Sequence, residues 1–423
     1  MTALQDLPLR AALDVNPLLS PIRSGVPNYV ESLIRALLTE RDAAGAEWFF
    51  SAGVPSAEIV AAFAERSFMV DRSHFVPYHS FYDTPARKAS ENPLVYHARS
   101  APTRLGMRWR KTLQLPPRRD LRLDVFHHTD YVAHDWAGAK CRHVMTIHDL
   151  IPVRFPERCR PDWLWFAEKA YAFAKQRAES VITYSRASQQ DICGHLGLSE
   201  DQVAVIPLAV RDTLAQPVSE AEGAAVLASF GLAPRRYVLA VGRLDPLKNL
   251  ERLVEAFAAA ANQEGLQETT LVLTGPRSDS SREDGQRRIE ETLARHGLTD
   301  RCVFTGFVSD AQLAALLQGC QVFVFPSLYE GFGLPVLEAM AQGAPVVTSN
   351  VSSLPEVAGD AAILVDPTDT EAIAAAILEV AQNAGRAAEM RAAGRRRAAQ
   401  FSWAATAAAH LRVYRGEGLA ERP

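Results

Sequence analysis

The sequence predicts an α/β protein made of two doubly wound, parallel-sheet domains. Short apolar runs alternate with helical patterns along most of the 423 residues, which is the order expected when each strand is followed by a helix that returns to the same sheet. The length suits two or three domains, each with its own core. A polar, proline-containing stretch at residues 211–217 separates two such alternating sets, so we expect a domain boundary there.

The two alternating sets define the expected domains, 1–210 and 211–400. In the first, strand-like runs lie at 10–16, 47–51, 124–128, 142–148, 180–184 and 203–207. Helices are expected there at about 27–38, 161–177 and 187–196. In the second, strand-like runs lie at 236–242, 270–275, 302–306, 322–325 and 345–348. A last helical pattern covers 401–418, with Ser402 as a suitable N-cap.

Composition and charge exclude several classes of protein. The net charge of −4 gives no support for general nucleic-acid binding. The five cysteines are scattered and odd in number, which favours reduced thiols in a cytosolic protein. The first residues lack the charged and apolar parts of a signal peptide, and no run is long enough for a transmembrane helix. We therefore expect a cytoplasmic protein.

The most informative segment carries two glutamates, Glu330 and Glu338, with seven residues between them. The apolar run before it predicts a buried strand, and Pro335 and Gly343 indicate the first turn and the C-terminal cap of a helix. The predicted order is strand, glycine-containing loop, helix. Such a loop offers free backbone N–H groups and the positive end of a helix dipole, which suits a phosphate or sugar hydroxyls.

This pattern, with Glu-Gly-Phe-Gly-Leu-Pro inside it and Gly343-Ala-Pro-Val-Val-Thr348 after it, resembles the signature of retaining GT-B glycosyltransferases of family 4. The resemblance is strongest over residues 237–369 and is closest to bacterial mannosyltransferases of surface-polysaccharide assembly. It implies two Rossmann-like domains facing each other across a cleft. It also implies that the closing helix, within 401–418, packs back on the first domain.

The resemblance implies that a hexose moves from a nucleotide sugar to a saccharide or lipid-linked saccharide acceptor, forming an α-linkage. Front-face displacement is expected, with the leaving phosphate taking the proton of the acceptor. GDP-mannose is the first expectation for the donor, and UDP- or dTDP-sugars remain open. No cofactor is expected, since the nucleotide sugar is a substrate, and no Asp-x-Asp motif of the metal-dependent kind is present.

Several residues are assigned to the donor by this resemblance. Arg243 and Lys248 would contact the diphosphate, where they would stabilise the charge that develops as the glycosidic bond breaks. Glu330 would bind the donor sugar and Glu338 the ribose. The expected backbone contacts to sugar hydroxyls or phosphate come from Gly331, Phe332, Gly333 and Leu334.

Other assignments lie at the ends of predicted strands. Gly275, Phe307 and Val308 resemble the edge that binds the base, although glycines often end strands for conformational reasons alone. Gly25 lies in a loop where many relatives have two adjacent glycines and this chain has Ser24-Gly25. His148 resembles a histidine that faces the donor sugar, with a structural histidine as the alternative.

His127, His128 and Asp130 end another predicted strand and are expected to line the acceptor side. They show no third metal ligand at a recognisable spacing, so we expect no metal. A nucleotide-sugar epimerase of the same fold stays open as an alternative. A catalytically inactive scaffold is disfavoured, because Glu330, Arg243 and Lys248 are all present. A glycosidase that uses the two glutamates is a third rival, and it does not fit the context of the motif. The glycosidase would not need Arg243 and Lys248 at a phosphate site.

The stretch from Arg104 to Arg122 is locally basic, with Trp109, Leu113 and Leu115 interleaved. It could contact anionic lipid at the inner face of the membrane. A solvated loop is the equally simple alternative.

Overall fold

The computed structural model describes residues 8–19, 25–40, 46–52, 56–66, 68, 75–77, 123–131, 141–276 and 283–417. The chain divides into two compact units. Unit 1 comprises residues 1–183, 189–206 and 404–423, and unit 2 comprises residues 184–188 and 207–403. The short segment 184–188 therefore belongs to unit 2, although unit 1 precedes and follows it along the chain.

In the described residues of unit 1, seven parallel strands form one sheet in the order β3-β2-β1-β4-β5-β6-β7. The strands are β1 (Arg10–Asp14), β2 (Glu47–Ala52), β3 (Phe75–Pro77), β4 (Val125–His128), β5 (Arg142–Thr146), β6 (Ser180–Thr183) and β7 (Val203–Val205). The helices up to the end of this part of the chain are α1 (Val26–Thr39), α2 (Ser56–Glu65), α3 (Ile151–Arg154), α4 (Pro161–Arg177) and α5 (Arg186–Leu196).

The described part of unit 2 contains a six-stranded parallel sheet in the order β10-β9-β8-β11-β12-β13. Its strands are β8 (Tyr237–Val241), β9 (Thr270–Thr274), β10 (Cys302–Gly306), β11 (Val322–Phe325), β12 (Val346–Ser349) and β13 (Ala362–Val365). The helices of this unit are α6 (Asp212–Ala215), α7 (Glu220–Ser229), α8 (Leu250–Ala260), α9 (Glu283–Arg295), α10 (Asp310–Gly319), α11 (Leu334–Ala341), α12 (Leu354–Ala358), α13 (Thr370–Gln382) and α14 (Ala384–Ala398). The last helix, α15 (Trp403–Arg415), belongs to unit 1 from Ala404 onward.

The apolar runs form strands because both faces of each sheet are covered. All four residues of β4 and of β11 are buried, as expected for parallel strands between helical layers. In unit 2, Leu253 and Phe257 of α8 are fully buried in one core with Leu271 of β9. The predicted doubly wound α/β class is confirmed, and every predicted strand overlaps an observed one.

The helix α15 packs in unit 1 through a buried polar network. His127 Nδ1 lies 2.6 Å from the Tyr414 hydroxyl, and His127 Nε2 lies 2.7 Å from the hydroxyl of Thr146. The Tyr29 hydroxyl is 3.2 Å from the same threonine and 3.1 Å from His410 Nε2. Burial lowers the pKa of His410 to about 4 and also lowers that of His127. Both histidines are therefore neutral hydrogen-bonding links at neutral pH.

Candidate functional site

The predicted site residues of unit 2 follow four adjacent strands, in the order β10-β9-β8-β11. Arg243 and Lys248 come after β8, and Glu330 comes after β11. The strand order changes direction between β8 and β11, because β9 and β10 extend the sheet on one side and β12 and β13 on the other. In doubly wound sheets, ligands bind beyond the carboxyl ends of the strands at this kind of switch point.

An ion pair joins the two sides of the switch point. Lys248 Nζ lies 2.5 Å from Glu330 Oε1, with side-chain exposures of 22% and 13%. The hydroxyl of Ser327 is 2.5 Å from the same carboxylate oxygen. The Lys248 ammonium also lies 5.4 Å from the centroid of the Phe325 ring. A cation and a carboxylate are thus held side by side.

Local backbone structure fixes Lys248. A 3-10 helix covers Pro246–Lys248, and the Asp245 carboxylate accepts a hydrogen bond from the Leu247 N–H at 2.9 Å. Asn249 follows in the left-handed region, with φ of 57°. Its side-chain amide donates to the carbonyl groups of Pro326 and Pro367 at 3.1 and 2.7 Å. The loop after β8 is therefore anchored to the loop after β11.

Serine hydroxyls hold the carbonyl groups of the loop after β11. The Ser353 hydroxyl lies 3.0 Å from the Glu330 carbonyl oxygen and 2.7 Å from that of Phe332. Ser185 and Ser188 donate to the Gly331 carbonyl at 3.0 and 3.1 Å. These two serines lie in the segment 184–188, and sequence reasoning did not select them.

The loop leads directly into α11. Gly333 has φ of 107°, and a Cβ there would lie 2.7 Å from Leu354 Cδ2, so glycine suits both its conformation and its space. Pro335 is in the first turn of α11 and Gly343, with φ of 71°, follows its end, as predicted. Within the described residues, none of the N–H groups of residues 331–334 donates to a protein acceptor. These donors, at a helix N-terminus, suit phosphate or hydroxyl oxygens.

Glu338 is buried on α11 and is paired with Arg211, a residue that sequence reasoning placed in a linker. Both Nε and Nη2 of Arg211 donate to Glu338 Oε1, at 3.2 and 3.1 Å. Its Nη1 donates to Asp310 Oδ1 at 2.8 Å. Burial raises the pKa of Glu338, and the guanidinium offsets only part of that effect. Both hydrogen bonds from Arg211 to Glu338 involve Oε1, and no hydrogen bond among the described residues involves Oε2 of Glu338.

The ends of β9 and β10 are held close to the end of β8. A Cβ on Gly275 would lie 1.9 Å from the Gly242 carbonyl oxygen, so close packing by itself explains this glycine. The Gly275 N–H donates to the Gly306 carbonyl at 3.0 Å. Phe307 follows with 65% of its surface exposed, and Val308 is half-buried. The predicted base-binding edge thus presents an exposed aromatic ring.

Gly25 and His148 belong to unit 1. Gly25 precedes α1 and has φ of 50°, while residues 21–24 of its predicted loop, 21–27, lie outside the described residues. His148 follows β5, is 8% exposed and contacts the rings of Tyr29 and Tyr131 edge-on, at centroid distances of 5.9 and 5.7 Å. Its Nε2 is 3.6 Å from Asp130 Oδ1.

The prediction that His127 and His128 line the acceptor side is wrong, because both are fully buried. His127 belongs to the network that holds α15, and His128 Nε2 lies 3.1 Å from His143 Nδ1. Among the described residues there is no group of three or more histidine, cysteine or acidic side chains suited to a metal ion. The basic stretch from Arg104 to Arg122 lies outside the described residues. No described helix is both long and apolar enough to cross a bilayer.

Two family descriptions match the chain. Residues 66–213 match Glycosyltransferase Family 4, and residues 229–397 match Glycosyl transferases group 1. The chain is 36% identical to the O-antigen chain mannosyltransferase B of Escherichia coli, over 62% of this chain and 67% of that protein. It is 32% identical to the serotype-specific mannosyltransferase WbdA of E. coli, over 64% of this chain but 32% of the relative.

A third relative, the MMP alpha-(1->4)-mannosyltransferase of Mycolicibacterium hassiacum, is 33% identical over 60% of this chain and 57% of that protein. Among solved structures, Anabaena Alr3699/HepE in complex with UDP and glucose is similar with a TM-score of 0.70 at 19% identity, over 96% of this chain and all of that one. Sucrose-phosphate synthase from Thermosynechococcus elongatus has a TM-score of 0.68 at 24% identity, over 96% of this chain and 98% of that one. Both solved structures have the same fold as this protein.

Proposed function

The chain is a glycosyltransferase that belongs to family 4 and has the GT-B fold, and we propose that it is a retaining mannosyltransferase. In this proposal, mannose moves from GDP-mannose to a saccharide or lipid-linked saccharide acceptor and forms an α-glycosidic bond. Support for mannose comes from the relatives, since three proteins that are 32–36% identical to this chain carry mannosyltransferase names. The chain spans 32–67% of the lengths of these relatives, so their activities enter here as a proposal.

The observation that carries the proposal is the Lys248–Glu330 pair at the strand switch point. A sugar bound to the Glu330 carboxylate would place its anomeric phosphate within reach of the Lys248 ammonium, because the two groups are adjacent. Arg243 is exposed and, like Lys248, follows β8, so it would add a second cation. The N–H groups of residues 331–334 would bind hydroxyl or phosphate oxygens, and Glu338 the ribose.

These groups would act mainly through position and charge. As the bond between the sugar and the diphosphate breaks, negative charge grows on the leaving phosphate, and Arg243 and Lys248 stabilise it. The acceptor oxygen attacks on the same face that the diphosphate leaves, and its proton passes to the leaving phosphate. Glu330 keeps the sugar oriented. His148 enters the proposal through the family resemblance, as a hydrogen-bond partner of a sugar hydroxyl.

Metal independence is part of the proposal, since the two cations would neutralise charge that a divalent ion neutralises elsewhere. Contact with the inner membrane face is also part of it, through the basic stretch from Arg104 to Arg122. A UDP-sugar is the second candidate for the donor. It is favoured by one observation, the UDP and UDP-glucose complexes of Anabaena HepE, which shares the fold. A dTDP-sugar has no comparable support.

The test begins with thermal shifts of the purified protein with GDP, UDP and dTDP and their sugars, each with and without EDTA. A nucleotide at 100 times its Kd stabilises a protein by about 2.7 kcal/mol, which is readily detected. We expect GDP species to give the largest shift, unchanged by EDTA. Transfer from GDP-mannose is then followed with candidate acceptors, and NMR of the product reports the anomeric configuration. A β-linked product would contradict retention, and preference for UDP species would contradict the proposed donor.

A further inference from the structure

The contacts of Arg211 differ from those of an ordinary surface arginine. Its side chain is 16% exposed and uses three nitrogen atoms on two carboxylates. Two of the nitrogens converge on one oxygen of Glu338, and the third reaches Asp310. The planar guanidinium has a fixed fork of donors, so contacts at both ends determine its orientation.

The second carboxylate is itself held. Asp310 is the first residue of α10, and its Oδ2 accepts a hydrogen bond from the Thr213 hydroxyl at 2.5 Å while its Oδ1 accepts from Arg211. Asp310 is therefore fixed by both oxygens and acts as a support for the guanidinium. The four side chains form a chain of contacts from Thr213 through Asp310 and Arg211 to Glu338.

The Glu338 carboxylate is asymmetric as a result. Oε1 accepts both bonds from Arg211, while no hydrogen bond among the described residues involves Oε2. The Glu338 side chain is 7% exposed, so few rotamers are open to it, and the guanidinium selects among them. A carboxylate held by one oxygen presents the other as an acceptor in a defined direction.

We infer that Arg211 is a positioning residue for the nucleotide, which fixes Glu338 so that Oε2 meets the ribose hydroxyls. The inference rests on the proposed function, in which Glu338 binds the ribose. Ribose recognition would then depend on Arg211, which lies far from Glu338 in sequence and does not itself contact the nucleotide. The guanidinium also favours the charged form of Glu338, and hydrogen bonds to a charged acceptor are the stronger ones.

The experiment compares nucleotides with and without ribose hydroxyls. Isothermal titration calorimetry gives the Kd of the full-length protein for GDP and 2′,3′-dideoxy-GDP, and for UDP and 2′,3′-dideoxy-UDP. The ratio of the two Kd values is the ribose discrimination. Irreversibly unfolded protein lowers the stoichiometry, and reversibly unfolded protein raises both apparent Kd values by the same factor. The ratio is unchanged in either case, so destabilised variants can still be compared.

For the wild type, we expect the Kd of the dideoxy nucleotide to be about 10- to 100-fold higher than that of the ribonucleotide. This factor corresponds to the free energy of hydrogen bonds to a charged group. Glu338→Gln and Arg211→Met should both reduce the ratio to below about 3-fold. Arg211→Lys keeps a cation beside Glu338 but lacks the fork, so it should recover part of the ratio lost in Arg211→Met. The matched control is Arg236→Met, since Arg236 pairs with Glu268 on the surface, where both side chains are more than half exposed.

The outcomes separate the inference from the proposed function. If Glu338→Gln loses discrimination and Arg211→Met keeps it, the inference is wrong and the ribose role of Glu338 stands. If wild type binds neither nucleotide, or Glu338→Gln keeps the wild-type ratio, the proposed ribose site is wrong and the inference fails with it. Loss of discrimination in Arg236→Met would also overturn the inference, because the effect would then not depend on the contact with Glu338.

Discussion

The Lys248 ammonium lies 2.5 Å from a carboxylate oxygen of Glu330 and thereby joins the loops that follow β8 and β11. Each partner compensates the charge of the other in a half-buried environment. Removal of either one changes both the charge of the site and the orientation of the group that remains. This pair is therefore the first place to test the proposed chemistry.

Lys248→Ala should lower kcat/KM for sugar transfer by about 100- to 1,000-fold, the typical loss when one group that stabilises transition-state charge is removed. Steady-state kinetics with GDP-mannose and an identified acceptor measure the effect. Lys175→Ala, which removes an exposed lysine of unit 1, serves as the control. Activity of Lys248→Ala within threefold of wild type would contradict the role given to this ammonium.

Phe307→Ala should weaken nucleotide binding by about 10-fold without loss of stability. The ring is 65% exposed at the end of β10, and stacking of a base on an aromatic ring contributes about 1–3 kcal/mol. Calorimetric titration with GDP and a thermal melt give the two quantities. The control is Trp165→Ala, an aromatic ring that is 46% exposed in unit 1. An unchanged Kd for Phe307→Ala would remove this residue from the base-binding edge.

Gly275→Ala should destabilise unit 2, because the new Cβ would lie 1.9 Å from the Gly242 carbonyl oxygen and the backbone would have to move. We expect a loss of about 1–3 kcal/mol, as for other overpacked sites. Gly231→Ala is matched in having a positive φ, 67°, but its Cβ would have no heavy atom within 4 Å. The free energies of unfolding of both variants, measured in urea, separate the effect of the steric clash with Gly242 from that of backbone strain. Equal losses would mean that backbone strain alone matters at Gly275.

The buried histidines of unit 1 predict a loss of stability in acid. The pKa of His410 is lowered to about 4 by burial, so between pH 6.5 and pH 4 the unfolded chain binds a proton that the folded chain does not. Stability falls as the pH falls through that window, by about 2 kcal/mol at pH 5 for this one group. Urea unfolding at pH 7 and pH 5 measures it. In His410→Gln the difference between the two pH values should shrink, and an unchanged difference would exclude His410 as its source.

Much of the fold could be predicted because parallel strands covered on both faces are continuous apolar runs. The runs at 302–306 and 322–325 coincide with β10 and β11 residue for residue. Two short strands, β3 and β13, were not predicted, because their sequence patterns are too weak. β3 has three residues and ends in a proline, and β13, at the edge of its sheet, has only one buried residue, Val365.

Candidate site residues could be selected where each lies in a recognisable motif, but the pairing of a motif residue with a distant residue outside any motif could not be predicted. Glu330 and Glu338 stand eight positions apart and share one motif, whereas Arg211 and Glu338 are 127 residues apart. A polar stretch with a proline predicts a linker equally well whether or not one of its arginines is buried. The burial of His127 and His128 likewise depends on partners from other elements, above all Tyr414 and His143.

The segment 184–188 has a practical consequence for dissecting or exchanging parts of this enzyme. A fragment cut to begin at Pro207 would keep the whole second sheet, yet it would lack Ser185 and Ser188, the two hydroxyls bonded to the Gly331 carbonyl. A chimaera that takes residues 207–403 from another enzyme would bring a foreign glycine loop to these native serines. Exchanges of unit 2 between relatives should therefore carry residues 184–188 together with residues 207–403, as a two-piece graft.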